Sequence, residues 1–316
     1  MAEPVVVYKG DAIARYGVGD PHPFGIDRHD VFHAELAAEN LGDRIRYGEP
    51  RDATVDELHL FHSADYIDFV SRKSAEGTGY LDDGDTPAMP GIFEAASSVV
   101  GTTLAAVDAV MTGDATRAFT PIAGLHHAGR GHAAGFCVFN DCGVAAEYLR
   151  TKYGLERIAY VDIDAHHGDG VFYSFEDDPD LVFADTHEDG RYLYPGTGAA
   201  AETGKGRARG TKLNIPLEPG AGDAEFAAAW RQIEDYLEAA RPEFIILQCG
   251  ADSLEGDPIT HLRFTEEAHA SAARSLCEIA NRHAGGRIVG TGGGGYNRHN
   301  LARAWTRVVR SFVDVN

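Results

Sequence analysis

The stretch Ile158-Ala159-Tyr160-Val161-Asp162-Ile163-Asp164-Ala165-His166-His167-Gly168-Asp169 decides the architecture. Its first half is a short apolar run, which reads as a β-strand buried on both faces. Its second half turns without a linker into carboxylates and imidazoles, and in an open parallel sheet ligands sit beyond the carboxyl ends of the strands. Working outward, similar runs at 5–8, 118–122, 181–184, 244–248 and 287–290 are predicted strands, alongside 158–163. Between them, segments of helical period predict helices at 92–111, 141–153, 224–240, 266–283 and 301–312. In the third of these, Phe226, Trp230, Ile233 and Leu237 share one stripe, and Pro242 marks the end. Trp230 and Trp305 therefore read as core packing. Strands alternating with helices predict an α/β protein whose parallel sheet is covered on both faces.

The chain has 316 residues, 28 Lys and Arg against 49 Asp and Glu for a net charge of −21, and 44% hydrophobic residues. That is enough apolar material for a substantial core and excludes a coiled coil, a collagen or a disordered tail. The acidic balance argues against nucleic acid as a partner, because phosphate neutralisation needs a basic footprint. Four cysteines, Cys137, Cys142, Cys249 and Cys277, include no Cys-x-x-Cys pair, so neither a thiolate zinc module nor a disulfide scaffold is expected. The start of the chain, Met1-Ala2-Glu3-Pro4 and the apolar residues after it, lacks the basic stretch of a signal peptide. The apolar runs read as shorter than the ~18 residues a membrane helix needs. A cytoplasmic protein without a membrane partner is the expectation. No repeat and no Pro/Ser-rich linker divides the sequence, which predicts one domain over 1–316. Two irregular stretches, 74–91 and 186–212, are expected loops and candidate walls of a substrate site.

The residues that follow the predicted strands are unusually polar. After 118–122 come His126 and His127; after 158–163 come Asp164, His166, His167 and Asp169; after 244–248 comes Asp252; after 287–290 come four glycines and Tyr296. Asp164 and His166 are two apart at a strand end, where alternate side chains share a face, so both can reach one metal ion. Asp252 could close the set from a neighbouring strand. Three protein ligands with an open position describe a catalytic rather than a structural site. His126 and His127 become candidates to deprotonate metal-bound water, with Asp162 and Asp169 available to fix their tautomers. The glycines Gly292 to Gly295 lack the Gly-Lys-Ser/Thr of a phosphate loop and read better as a backbone that positions the Tyr296 phenol toward an oxyanion.

Taken in order, these segments resemble the zinc-dependent histone deacetylase family, especially its prokaryotic acetoin-utilization and acetylpolyamine branches. The resemblance rests on Leu125-His126-His127-Ala128, Gly135-Phe136-Cys137, Asn140-Asp141, Asp162 to Gly170, Pro195-Gly196-Thr197-Gly198, Gly250-Ala251-Asp252, Gly256-Asp257-Pro258 and Gly292 to Tyr296. It runs from about His22 to Tyr296 and implies an arginase/deacetylase fold, with an eight-stranded parallel sheet flanked by helices on both faces. It assigns Zn²⁺ to Asp164, His166 and Asp252, and the general base and acid to His127 with Asp169 behind it. His126 backed by Asp162 becomes its electrostatic partner, and Tyr296 the carbonyl-polarising phenol. Gly135 and Phe136 resemble one wall of an acyl-lysine tunnel, Tyr194 the opposite wall, and Asp85 the rim carboxylate that grips substrate amides.

The resemblance also raises a structural K⁺ near the zinc, around Asp162, Asp164 and His166. Where the family offers a Ser hydroxyl on the next strand, this chain has Asp185 before Thr186. Glu188 and Asp189 follow, either as solvated loop carboxylates or as negative charge near the tunnel mouth. The related two-manganese ureohydrolases need two further carboxylates. Gly168 and Leu254 stand in their places here, which predicts a single catalytic metal. Two carboxylates with one histidine form a harder set than the usual zinc ligands, so Fe²⁺ is the alternative ion. The expected activity is hydrolysis of an N-acylated lysine side chain. The alternatives are a deacetylase of small acetylated polyamines and, more remotely, a non-catalytic acyl-lysine binding module. Acyl length and oligomeric state stay open at this point.

Overall fold

Strands β1 (Val5–Tyr8), β2 (Ile45–Gly48), β3 (Arg117–Thr120), β4 (Ile158–Asp162), β5 (Leu181–Glu188), β6 (Lys212–Leu217), β7 (Phe244–Gln248) and β8 (Ile288–Thr291) form one sheet. Every pairing is parallel, in the order β2-β1-β3-β8-β7-β4-β5-β6. The computed structural model describes residues 4–19 and 22–315, so Met1 to Glu3, part of the leader reading, lie outside it. The central strands are buried at every position, as strands covered on both faces must be.

The helices are α1 (Asp11–Ala14), α2 (Arg28–Ala38), α3 (Val55–Leu58), α4 (Ala64–Glu76), α5 (Ile92–Met111), α6 (Asp141–Tyr153), α7 (Asp169–Ser174), α8 (Asp223–Ala240), α9 (Glu266–His283) and α10 (Arg298–Asp314). They pack as two groups. α2, α10, α9 and α8 touch in sequence and lie on the sheet, while α1, α4 and α6 gather around α5, which packs on β1, β3 and β8. Trp230 and Trp305 are buried as expected, and Trp305 Nε1 donates to the Cys249 carbonyl at 3.1 Å.

Several boundaries differ from the sequence expectation. The strand expected at 118–122 is Arg117–Thr120, because Ile122 takes a left-handed φ of 68° and turns the chain toward the site. The strand expected at 181–184 continues to Glu188, so Asp185 to Glu188 are buried sheet residues and the second irregular stretch starts only after them. Ser74 to Glu76 belong to α4, which shortens the first stretch. α5 corrects the reading of apolar run length: its 20 residues are long and apolar enough to cross a membrane, yet 78% of its apolar window is buried inside the fold. It is the core helix of one face.

Candidate active site

The metal-type cluster sits where β4 and β7 end. Asp164 and His166 follow β4, and Asp252 follows β7, its direct neighbour in the sheet. His166 Nδ1 lies 3.1 Å from Asp164 Oδ1 and 3.1 Å from Asp252 Oδ2. The three donor atoms fall within 4.8 Å of one another, and this is the one such cluster found among the described residues. Each carboxylate is aimed by neighbours: Asp164 Oδ2 accepts from Gln248 Nε2 and from the Gly294 amide, both at 2.9 Å, and Asp252 Oδ1 accepts from the Ala165 amide at 2.8 Å. Gly250 and Gly294 leave the room, since a Cβ on the first would overlap the Asp164 carboxylate and on the second that of Asp252.

This donor set fits a divalent cation. All three side chains are buried, and two carboxylates so close are costly without compensating positive charge. Burial and the Asp164 charge push the Asp252 carboxyl up to about 7. Burial disfavours a charged His166, yet Asp252 and Asp164 outweigh it and raise its pKa well above the usual value. A divalent cation would displace those protons, because carboxylates and imidazole bind metal in their deprotonated forms.

His126 and His127 lie on the loop after β3, which α6 holds. Asn140, the N-cap of α6, accepts from the Gly143 amide at 2.8 Å, and its Nδ2 donates to the carbonyls of Ala128 (2.8 Å) and His126 (3.3 Å). Asp141 accepts the Leu125 amide at 2.8 Å and the Gly124 amide at 3.0 Å. His126 Nδ1 meets Asp162 Oδ2 at 2.8 Å, His127 Nδ1 meets Asp169 Oδ1 at 2.6 Å, and the two Nε2 atoms face each other at 3.1 Å. A proton on each Nδ1 satisfies its carboxylate, and the 3.1 Å contact between the two Nε2 atoms needs one further proton between them. The two rings then diverge. Burial opposes charge on His126, but Asp162 and Asp164 raise its pKa to about 10; burial and the adjacent His126 lower that of His127 to about 4. The shared proton is thus favoured on His126, with His127 Nε2 accepting it.

Tyr296 closes the site from the loop after β8. Its amide donates to Asp257 Oδ2 at 2.8 Å, and burial together with Asp252 keeps its phenol protonated, its pKa raised well above 10. Buried Arg28 holds the same loop from α2, donating to the carbonyls of Gly295 (3.0 Å) and Gly293 (2.5 Å). Gly124, His126, His127, Asp164, His166 and Tyr296 line a narrow cleft together with Phe24, Gly135 and Cys137.

The expected walls rise above this floor. Gly135 has φ 53°, and a Cβ there would collide with the His127 ring and come within 3.1 Å of Tyr194. Phe136, at φ 67°, is held in that conformation by Tyr16 Oη on its carbonyl (2.7 Å) and Thr86 Oγ1 on its amide (3.1 Å). Its ring centre lies 6.0 Å from that of Tyr296. Opposite, the half-exposed Tyr194 sets its ring edge-on to His127 with centres 5.1 Å apart. Asp85 stands on the rim, in a groove of 390 Å³ that also takes in Asp82, Asp83, His132 and Tyr194. Burial and Asp82 push the Asp85 carboxyl to about 6.

One expectation needs correction. Glu188 is neither solvated nor at the mouth: it is 1% exposed in β5 and accepts from the His261 amide at 2.8 Å, with His261 Nδ1 2.7 Å from its other oxygen. Of the residues considered for K⁺, Asp162 and Asp185 stand side by side in register on β4 and β5. Asp185 and Thr186 are consecutive in β5 and point to opposite faces. Asp185 already serves His187 Nδ1 at 2.7 Å and the Gly168 amide at 2.9 Å, while the buried Thr186 hydroxyl finds no partner. Gln248 and Arg28 were missed from sequence. Gln248 ends a strand whose sister strand ends in ligands, which was a usable signal; Arg28 gave none, being a basic residue in a helix read as ordinary sequence.

Comparison with known proteins agrees with this arrangement. Residues 22–312 match the histone deacetylase domain family. The chain is 40% identical over 320 residues to the acetoin utilization protein AcuC of Bacillus subtilis (strain 168), covering 98% of this chain and 81% of that one. It is 33% identical over 323 residues to AcuC of Staphylococcus aureus (strain MRSA252), covering 99% and 82%. Among solved structures, the HDA15 HD domain superposes with a TM-score of 0.91 at 27% identity, covering 100% of this chain and 91% of that one. A deacetylase of the hydrolase class is thus in hand, and the chain belongs to the histone deacetylase family.

Proposed function

We propose that this deacetylase hydrolyses the amide of an N-acetylated lysine side chain, giving a free amine and acetate. The substrate's alkyl chain lies between Phe136 and Tyr194, and Asp85 accepts hydrogen bonds from the substrate backbone at the rim. His127 Nε2, unprotonated and held by Asp169, takes the proton of the attacking water and returns it to the leaving amine. His126, charged and backed by Asp162, faces the negative charge that develops. The Tyr296 phenol donates to the acyl oxygen as it gains charge, a contribution of about 3 kcal/mol by analogy with other oxyanion donors. A divalent ion held by Asp164, His166 and Asp252, Zn²⁺ or, with this two-carboxylate set, Fe²⁺, supplies Lewis acidity and lowers the pKa of water.

The observation that carries this reading is that His127, oriented by Asp169, Asp164 and His166 of the three-donor cluster, and Tyr296 all line one narrow cleft. A binding module would need none of that alignment. The test is turnover of an acetyl-lysine peptide by protein loaded separately with Zn²⁺ and Fe²⁺, with metal content measured. Activity retained by both Asp252→Ala and Tyr296→Phe would overturn the assignment.

A small acetylated polyamine is the second reading, favoured by the acidic groove of Asp82, Asp83 and Asp85 beside the channel. The burial of Glu188 removes one charge that would have added to it. Competition between acetyl-lysine peptide and N-acetylputrescine at equal concentration decides between them.

A further inference from the structure

Tyr194 forms one wall of the channel, yet it stands on an irregular segment between β5 and β6, half-exposed. Something outside that segment must fix it. Two histidines do so from below: His167 Nδ1 lies 2.8 Å from Thr197 Oγ1, and His187 Nε2 lies 2.9 Å from the Gly198 carbonyl. A carbonyl only accepts, so His187 Nε2 carries a proton, and its Nδ1 is taken by Asp185 Oδ1 at 2.7 Å. The other Asp185 oxygen accepts the Gly168 amide at 2.9 Å, next to Asp169, which orients His127. Gly198, at φ 85°, comes so close that a Cβ would strike both the His187 and the His167 rings. The chain of bonds Gly168, Asp185, His187, Gly198 therefore ties the metal-bearing turn to the Tyr194 wall, through a fully buried dyad that faces neither substrate nor ion.

The geometry points to His187, oriented by Asp185, as a positioning residue that sets the Tyr194 wall and with it the fit of the acyl-lysine chain. This inference rests on the proposed deacetylation for its kinetic meaning. His187 is the informative position because it adjoins no catalytic side chain, whereas His167 is the immediate neighbour of a metal-ligand candidate. His187→Leu removes the bond to Gly198; His187→Gln keeps an N–H donor in nearly the same place.

With metal-loaded protein and an acetyl-lysine peptide, His187→Leu is expected to raise KM about tenfold while kcat stays within about threefold. Metal content should remain at the wild-type level, and His187→Gln should restore KM. In parallel, amide hydrogen exchange of peptides spanning 190–199 should quicken about tenfold in the Leu variant and return to wild type in the Gln variant. Unchanged KM and unchanged exchange in His187→Leu would overturn the inference, as would a loss of kcat or metal that Gln does not rescue. Should the Leu variant not fold, Asp185→Asn, which leaves one acceptor for two donors, carries the same expectations in weaker form. If wild-type protein turns over no acetylated amine, the proposed function falls, and the exchange comparison alone still decides whether the clamp exists.

Discussion

The floor of the channel and its rim are built by different means. The floor comes from the ends of sheet strands, and its carboxylates and imidazoles are fixed by partners at about hydrogen-bond length: Asp164 by Gln248 and Gly294, His126 by Asp162, His127 by Asp169. The rim comes from connecting segments, with Asp85 and Tyr194 on irregular chain open to solvent. In the proposed reaction, side-chain partners are densest where charge develops, while the rim meets the substrate from connecting segments, the one bearing Tyr194 tied down by His187. Mutations of the floor should cost chemistry, and mutations of the rim should cost selection.

The largest effect expected is at the floor. If Tyr296 donates to the oxyanion as proposed, Tyr296→Phe should lower kcat about 10²- to 10³-fold with little change in KM, read by steady-state kinetics. Next, Gln248→Leu removes the amide that aims Asp164 without touching a ligand, and metal affinity should fall about 10- to 100-fold, measured by competition with a chelating dye. A smaller effect concerns a histidine that lacks what the floor provides. His33 is buried on α2 with neither ring nitrogen partnered, and burial and His29 lower its pKa to about 3. The native state then binds fewer protons than the unfolded chain between about 6.5 and 3, so stability is full above pH 6.5 and is lost as pH falls. His33→Leu should flatten that loss by about 1 kcal/mol per pH unit near pH 5, seen in urea unfolding. Smallest is the rim: Asp85→Asn should raise KM for a peptide about threefold and leave kcat unchanged, and an equal loss in kcat would blur the division between floor and rim.

The same division governs what could be read from the sequence. The floor was legible because Asp164 and His166 lie two apart after an unmistakable buried strand, and because Asp252 and Tyr296 follow strands of the same kind. Helices α5, α6 and α9 were legible for their whole length. β2 and β6 were not, because they are the two edges of the sheet. β2 is half exposed and carries Arg46, while β6 holds Lys212, Asn214 and Pro216, so neither shows an apolar run. α2 escaped because its buried face includes Arg28, His29 and His33 beside Phe32 and Leu36, which breaks the hydrophobic stripe. The apolar positions Tyr66, Ile67 and Val70 of α4 were visible and could have been used. Glu188 was misplaced because a carboxylate in a strand looks like a loop residue until its partner, His261, is brought in from far along the chain.

The strand order carries a consequence for biosynthesis. β7 and β8, the last to be made, wedge between β3 and β4, so the halves β2-β1-β3 and β4-β5-β6 share no edge until the final stretch arrives. A nascent chain still missing those strands exposes two unpaired central edges and lacks Asp252, which makes it both sticky and unable to retain metal. Cation uptake would then mark the moment of completion on the ribosome's product, and a ribosome-release series with a metal-sensitive probe would show it only after Thr291 has emerged.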